Sequence, residues 1–403
     1  MKNLQRLILP FVYLIIFVPG LYSESLDNTA FVLLTGSESF RVGNYSLDAL
    51  EKELATTSNL PDPQLDGEYL IMPHDETNRW AATLSWGVEW PAVYGARDKE
   101  AKKRLDAAAK NLYLERINKL AEIKHLLLDY ILCRHKLILL DSLSANISNI
   151  EKLALQSYEA REMSLLDVNK IKIETANIHG VKAATINEEA ALVNSLSNIY
   201  GKDCLPLLGK MDLEFPEPLS SEIEYAKLNL PAVDAALAEM EVAKQQKKVS
   251  KMESLPSLTI GYKHAYEDWM HFNGAVLGIS IPVFSSKGKR AAAEAAIAES
   301  EVKADVAKSE AISETNSYIR QLSIIKNQLK ELEPLLKNID YNTPLLKAYN
   351  AGLITLIDYL TEQNYYTTAK IDFLNLQYTA ASIGIDLSKY TTVNKFSTND
   401  SGF

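Results

Sequence analysis

Two stretches of this chain repeat each other at one fixed spacing, with no gap between their landmarks. Pro91 recurs at Pro282 and Tyr158 recurs at Tyr349, an offset of 191 residues in both cases. Around the first landmark, Trp86-Gly87-Val88-Glu89-Trp90-Pro91 aligns with Leu277-Gly278-Ile279-Ser280-Ile281-Pro282. Around the second, Tyr158, Ala160, Ser164 and Asp167 align with Tyr349, Ala351, Thr355 and Asp358, and the apolar positions between them match. Two anchors held in register over so long a distance mark a tandem duplication. Whatever the chain builds, it builds twice.

Between the anchors the first copy is helical. It has no Gly or Pro from Ala96 to His179, and Leu105, Ala109, Leu112, then Leu120, Ile123, Leu127 and Ile131 recur at three- and four-residue steps. One helix joining the anchors would be roughly 100 Å long at 1.5 Å per residue. That is an arm of a coiled coil rather than a globular helix. The second copy is rich in Ala, and Pro334 and Pro344 are expected to kink or break its last third.

Ahead of each arm the period changes from helical to alternating. Trp80, Ala82, Leu84, Trp86, Val88 and Trp90 fall on one side of a strand, and Ala81, Thr83, Ser85, Gly87 and Glu89 on the other. In the second copy Ala275, Leu277, Ile279 and Ile281 face one way, and Gly274, Val276, Gly278 and Ser280 the other. An odd offset must swap even positions for odd ones, and it does. Each strand is expected to pair with a neighbour, residues 67–72 in the first copy and 258–266 in the second. The connecting loops fall at 74–78 and 267–273. A strand on a soluble core would alternate too, but only two hairpins stand here beside very long helices. Strands of about ten residues with aromatic ends fit a membrane barrel, whose outward side would be Trp80, Leu84, Trp86, Leu277 and Ile279. Four strands cannot close such a barrel, and open edges in lipid leave backbone groups unpaired. Two chains would supply eight strands, and three would supply twelve.

The first 23 residues have the pattern of a secretory leader: Lys2 and Arg6, an apolar run from Leu7 to Val18, then Pro19-Gly20. The expected organisation is a leader (1–23), an N-terminal segment (24–66) with one helical piece at 46–55, and a first repeat (67–200). A linker with a short helix (201–256), a second repeat (257–389) and a disordered polar tail (390–403) follow. The class is mainly α with β. Formal charge is −10, and an acidic chain without a basic patch is a poor partner for nucleic acid. Cys133 and Cys204 sit too far apart along a folded hairpin for a disulfide.

No Gly-rich phosphate loop, Ser/His/Asp signature or His-x-x-x-His helix is present, so neither catalysis nor a cofactor is expected. His264 and His271 flank Met270 around the expected second loop, where solvated histidines outnumber metal ligands, and no metal site is assigned. At the turns of the arms, Gly352 suits the left-handed residue that stops a helix. Ser164-x-x-Asp167 and Thr355-x-x-Asp358 are acidic capping patterns that start the returning helices.

Leader, hairpin, Pro, long helix, Tyr-x-x-Gly-x-x-Thr-x-x-Asp and returning helix, given twice, resemble the TolC family of outer-membrane efflux proteins over about residues 60–387. The most specific pieces are Leu255-Pro256-Ser257-Leu258, Ile279-Ser280-Ile281-Pro282-Val283-Phe284 and Tyr349-Asn350-Ala351-Gly352. Pro61-Asp62-Pro63-Gln64-Leu65 and the Trp-Gly-x-x-Trp-Pro strand are most similar to the heavy-metal efflux branch. The resemblance implies a homotrimer, with a twelve-stranded barrel in outer-membrane lipid continued by a helical tunnel across the periplasm. It implies a passive exit duct that docks a periplasmic adaptor protein and serves an inner-membrane efflux pump. It places Asp167, Asp358, Tyr158 and Tyr349 at the periplasmic aperture, and Arg161, Ser164, Gly352, Leu353 and Thr355 on the docking tips. The Arg often found five residues after the Tyr is Ile354 here, and the second acid of the pair is Thr361. A charge-locked gate is therefore not implied. The alternative from another class is a secreted coiled-coil scaffold or adhesin without a pore.

Overall fold

The computed structural model describes residues 24–71, 78–217, 230–282, 288–336 and 341–389. The expected leader and tail lie outside the described residues, as does His74.

The first repeat is organised by α3 (Pro91–Glu159), an unbroken helix of 69 residues, about 100 Å long. Pro91 opens it at the first position, where a missing N–H costs nothing. It returns as α4 (Leu165–Tyr200), which Gly201 closes in the left-handed conformation at φ 73°. In the second repeat α7 (Lys289–Leu336) carries Pro334 in its last turn. A separate short helix, α8 (Asn342–Asn350), carries the chain onward to the tip, and α9 (Leu356–Ser388) returns. Pro334 thus lies inside the last turn of α7 and Pro344 in the first turn of α8, and residues 337–340 between the two helices, where a break was expected, lie outside the described residues.

Before each hairpin stands a shorter helix, α2 (Glu38–Thr56) in the first copy and α6 (Pro231–Met252) in the second. α2 packs on α3, and α6 packs on both α3 and α7. The N-terminal segment was expected to hold one helical piece, and it holds two helices. α1 (Leu26–Gly36) starts at Ser25, whose hydroxyl accepts from Asn28 N–H. Ser37 then ends α1 and caps α2, accepting from Phe40 N–H at 3.2 Å. α1 is also part of the main core. Leu33 and Leu34 are buried against Ile123, Leu127, Leu128 and Ile131 from the middle of α3. Leu196 of α4, Cys204, Leu208 of α5 (Leu205–Leu208) and Ile385 of α9 complete that core. Burying each leucine contributes about 1.5–3 kcal/mol, which fixes the linker and the N-terminus at the equator of the helical body. A backbone bridge between Glu24 and Met211 seals the same place. Cys133 and Cys204 are both free and buried.

The hairpins join into one antiparallel sheet of order β1-β2-β3-β4: β1 (Gln64–Leu70), β2 (Arg79–Val88), β3 (Ser257–Glu267) and β4 (Met270–Ser280). The second connection is far tighter than the expected loop. Asp268 and Trp269 alone make the turn, both at positive φ (49° and 62°), and β4 begins at Met270. His271, expected in the loop, therefore sits in β4 beside His264 of β3. The sheet is fastened to the helices by Arg97, which donates to Glu89 at the exit of β2 (2.6 Å) and to Glu253 ahead of β3 (2.9 Å).

Candidate functional site

Register assigns every strand residue to a face. Trp86, Ile260 and Leu277 form one row across the sheet; Leu84, Tyr262 and Ala275 form the next, and Val88, Leu258 and Ile279 a third. Trp80 lies in the same column, paired to Tyr266 and through it to His271. The five residues expected to point outward thus share one face, with Leu277 81% and Ile279 69% exposed in the single chain. Trp86 is partly shielded, because its indole N–H donates to the Pro61 carbonyl at 2.7 Å. The opposite face carries Asp66, Glu68, Arg79, Thr83, Ser85, Thr259, Lys263 and Glu267, with Leu70, Met270, Phe272 and Val276 its larger apolar members. Ion pairs link its charges, Lys263 to Glu68 across β2 and Arg79 to Glu267. Apolar and polar faces separated over strands of about ten residues, 33 Å at 3.3 Å per residue, match a barrel wall tilted through a bilayer. β1 and β4 each leave one edge without a partner among the described residues.

The two tips are built to one plan. At the first, Ala160 N–H donates to Gln156, Arg161 N–H to Tyr158 and Glu162 N–H to Ser157; at the second, Ala351 donates to Lys347, Gly352 to Tyr349 and Leu353 to Ala348. Each is a helix stop with its left-handed residue in the same place, Arg161 at φ 62° and Gly352 at φ 71°. Ser164 and Thr355 then cap the returning helices, accepting from Asp167 N–H and Asp358 N–H at 3.2 Å. Thr355 completes a capping box: its own N–H and hydroxyl both donate to Asp358 Oδ2, at 3.1 and 2.7 Å. These bonds, the hydroxyl's first, hold the Asp358 carboxyl below its ordinary value of 3.8. Within one chain the cap therefore favours the charged carboxylate. The cap is therefore intact above the ordinary carboxylate value and is lost only as pH falls through the lower folded one. Asp167 differs in having Lys170 Nζ 3.6 Å away, a position the duplication fills with Thr361. Leu353 is the most exposed apolar residue of the second tip, at 78%.

Beneath the tips the two hairpins share a core that the sequence did not single out. Ile147, Ile150 and Ala154 of α3 meet Val168 and Ile171 of α4 and Leu356 and Tyr359 of α9. Tyr359 is buried and accepts from Asn146 Nδ2 at 2.8 Å. Tyr349 packs on it at 5.5 Å between ring centroids, whereas Tyr158 is 42% exposed. Of the two tyrosines placed at the aperture, only Tyr349 belongs to the hairpin–hairpin joint.

No helix among the described residues is long and apolar enough to cross a membrane. Residues 223–392 match the family model described as outer membrane efflux protein. No match is found among curated proteins. Among solved structures, the chain is similar to a membrane protein from Pseudomonas aeruginosa at 13% identity and a TM-score of 0.76, covering 91% of this chain and 89% of that one. It is similar to the outer membrane protein VceC from Vibrio cholerae at 14% identity and a TM-score of 0.73, covering 91% and 95%. The Campylobacter jejuni CmeC outer membrane channel aligns at 14% identity and a TM-score of 0.69, covering 93% and 89%. The second repeat is thus similar to outer membrane efflux proteins, and the chain as a whole shares its fold with the solved outer-membrane proteins VceC and CmeC.

Proposed function

We propose that the chain is one third of a passive outer-membrane exit duct serving a tripartite efflux system. The observation that carries this reading is the joining of one four-stranded, two-faced sheet to helices of about 100 Å. The sheet has the height of a bilayer and two open edges, so further copies must close it. Three copies give twelve strands, wide enough for a lumen. The apolar face then meets lipid, the charged face lines the lumen, and the helices extend the conduit into the periplasm. Energy for transport comes from an inner-membrane pump, joined through a periplasmic adaptor that docks on the tips 160–164 and 351–355. Deleting the gene should raise cellular retention of toxic efflux substrates. Native chain should restore export, and full export without the chain would refute the duct.

Around the trimer axis, three Asp358 and three Asp167 side chains would ring the periplasmic mouth and draw cations toward it. Lys170 offsets the Asp167 charge, so Asp358 should dominate. Asn at 358 keeps an oxygen for both Thr355 donors and loses the charge. Asp358→Asn is therefore expected to leave oligomer and thermal stability nearly unchanged while weakening cation selectivity and block by multivalent cations. Unchanged selectivity and block, in this variant and in the Asp167/Asp358 double variant, would reduce both aspartates to helix caps.

A further inference from the structure

At the outer end of the apolar face the pattern changes character. Beyond Leu84, Tyr262 and Ala275 the rows hold Ala82, His264 and Asn273, then Trp80, Tyr266 and His271, and then the turn. His271 Nδ1 lies 3.3 Å from His264 Nε2. His264 Nδ1 lies 2.7 Å from Asn273 Oδ1, an oxygen that also accepts from Tyr262 Oη–H at 2.5 Å. A carboxamide oxygen has no proton to give, so His264 must carry its own on Nδ1. Its Nε2 is then a bare lone pair aimed at His271.

We infer that His264 Nε2 and His271 Nδ1 form a bis-imidazole site for a borderline divalent transition-metal ion, of the class of Cu2+, Zn2+ and Ni2+. Two nitrogens each about 2.0–2.1 Å from one tetrahedral ion stand about 3.3 Å apart, the spacing found between them. Imidazole is the donor these ions favour. The ion takes the place of the proton between the rings, which His271 then carries on Nε2, so that both ligands are neutral imidazoles. Asn273 supplies what metal-binding histidines ordinarily have, an acceptor for the other ring N–H that sets the tautomer and orientation. Trp80, 5.3 Å from the His264 ring, and Tyr266, 5.1 Å from that of His271, wall the pair. Both ligands stand on strands rather than on a mobile loop. No cluster of three metal-binding side chains occurs among the described residues, so water completes the coordination. The site bridges β3 and β4 beside the Asp268-Trp269 turn, and its occupant would staple that hairpin at the rim.

The test is titration of the purified, assembled protein with Cu2+, followed by calorimetry and electron paramagnetic resonance. One Cu2+ per chain with a two-nitrogen coupling pattern is expected. His264→Gln and His271→Gln should each weaken binding at least tenfold, and Asn273→Ala about ten- to a hundredfold. Zn2+ should raise the melting temperature of the native protein but not of the double histidine variant. If that double variant fails to assemble, the native spectrum decides alone, since copper without two coupled nitrogens overturns the site. Unchanged Cu2+ binding in an assembled double variant overturns it equally. Neither result depends on the protein conducting substrate.

Discussion

Arginine in place of Leu277 is expected to strip assembled oligomer from the membrane. Leu277 lies in the second half of β4, in one row with Trp86 and Ile260, and is the most exposed of the outward residues. A cation facing lipid near the bilayer midplane costs about 2–4 kcal/mol, and a trimer incurs it three times. Even one such cost lowers an equilibrium by roughly thirtyfold or more at 1.4 kcal/mol per decade. Ser85→Arg, on the opposite face, should leave most of the oligomer intact. Gly278 would be a poorer control, because a Cβ there would come within 3.3 Å of Thr259. Outer-membrane fractions run on gels without heating would measure both. Equal loss from the two variants would invalidate the assignment of faces.

Gly352→Glu is expected to abolish export while the oligomer still forms. The glycine sits at φ 71° with nothing within 4 Å of the position a Cβ would take. A left-handed non-glycine residue costs about 1–2 kcal/mol, which this architecture already sustains at the matching Arg161. The core beneath, from Ile147 to Tyr359, is not touched. What changes is the surface of the tip beside the exposed Leu353. Export measured in a deletion strain carrying the variant, with oligomer quantified in parallel, separates docking from folding. Normal export would remove this tip from the mechanism.

The long elements were legible because their signals are periodic and uninterrupted. An arm of 69 residues without an internal Pro after its first position, and a swap of alternation across an odd offset, leave little freedom. The tips were legible for a local reason, since Gly352 and the Ser/Thr-x-x-Asp pairs are capping chemistry. Short elements were harder. α1 and α2 depend on Ser25 and Ser37 as caps and on burial against α3, which no short window reveals. The Asp268-Trp269 turn lacks the Gly usual at such a site, so β4 was expected to begin too late and His271 fell into a loop. The Asn146–Tyr359 joint connects residues far apart in sequence and has no local signature.

The central claim, that several copies of this sheet close into a conducting wall, is tested most directly by single-channel recording of the purified oligomer in planar bilayers. The account predicts uniform conductance steps, cation-selective and diminished in selectivity by Asp358→Asn. A protein that fractionates as soluble, or an intact oligomer that inserts without conducting, would contradict it and favour a scaffold without a pore.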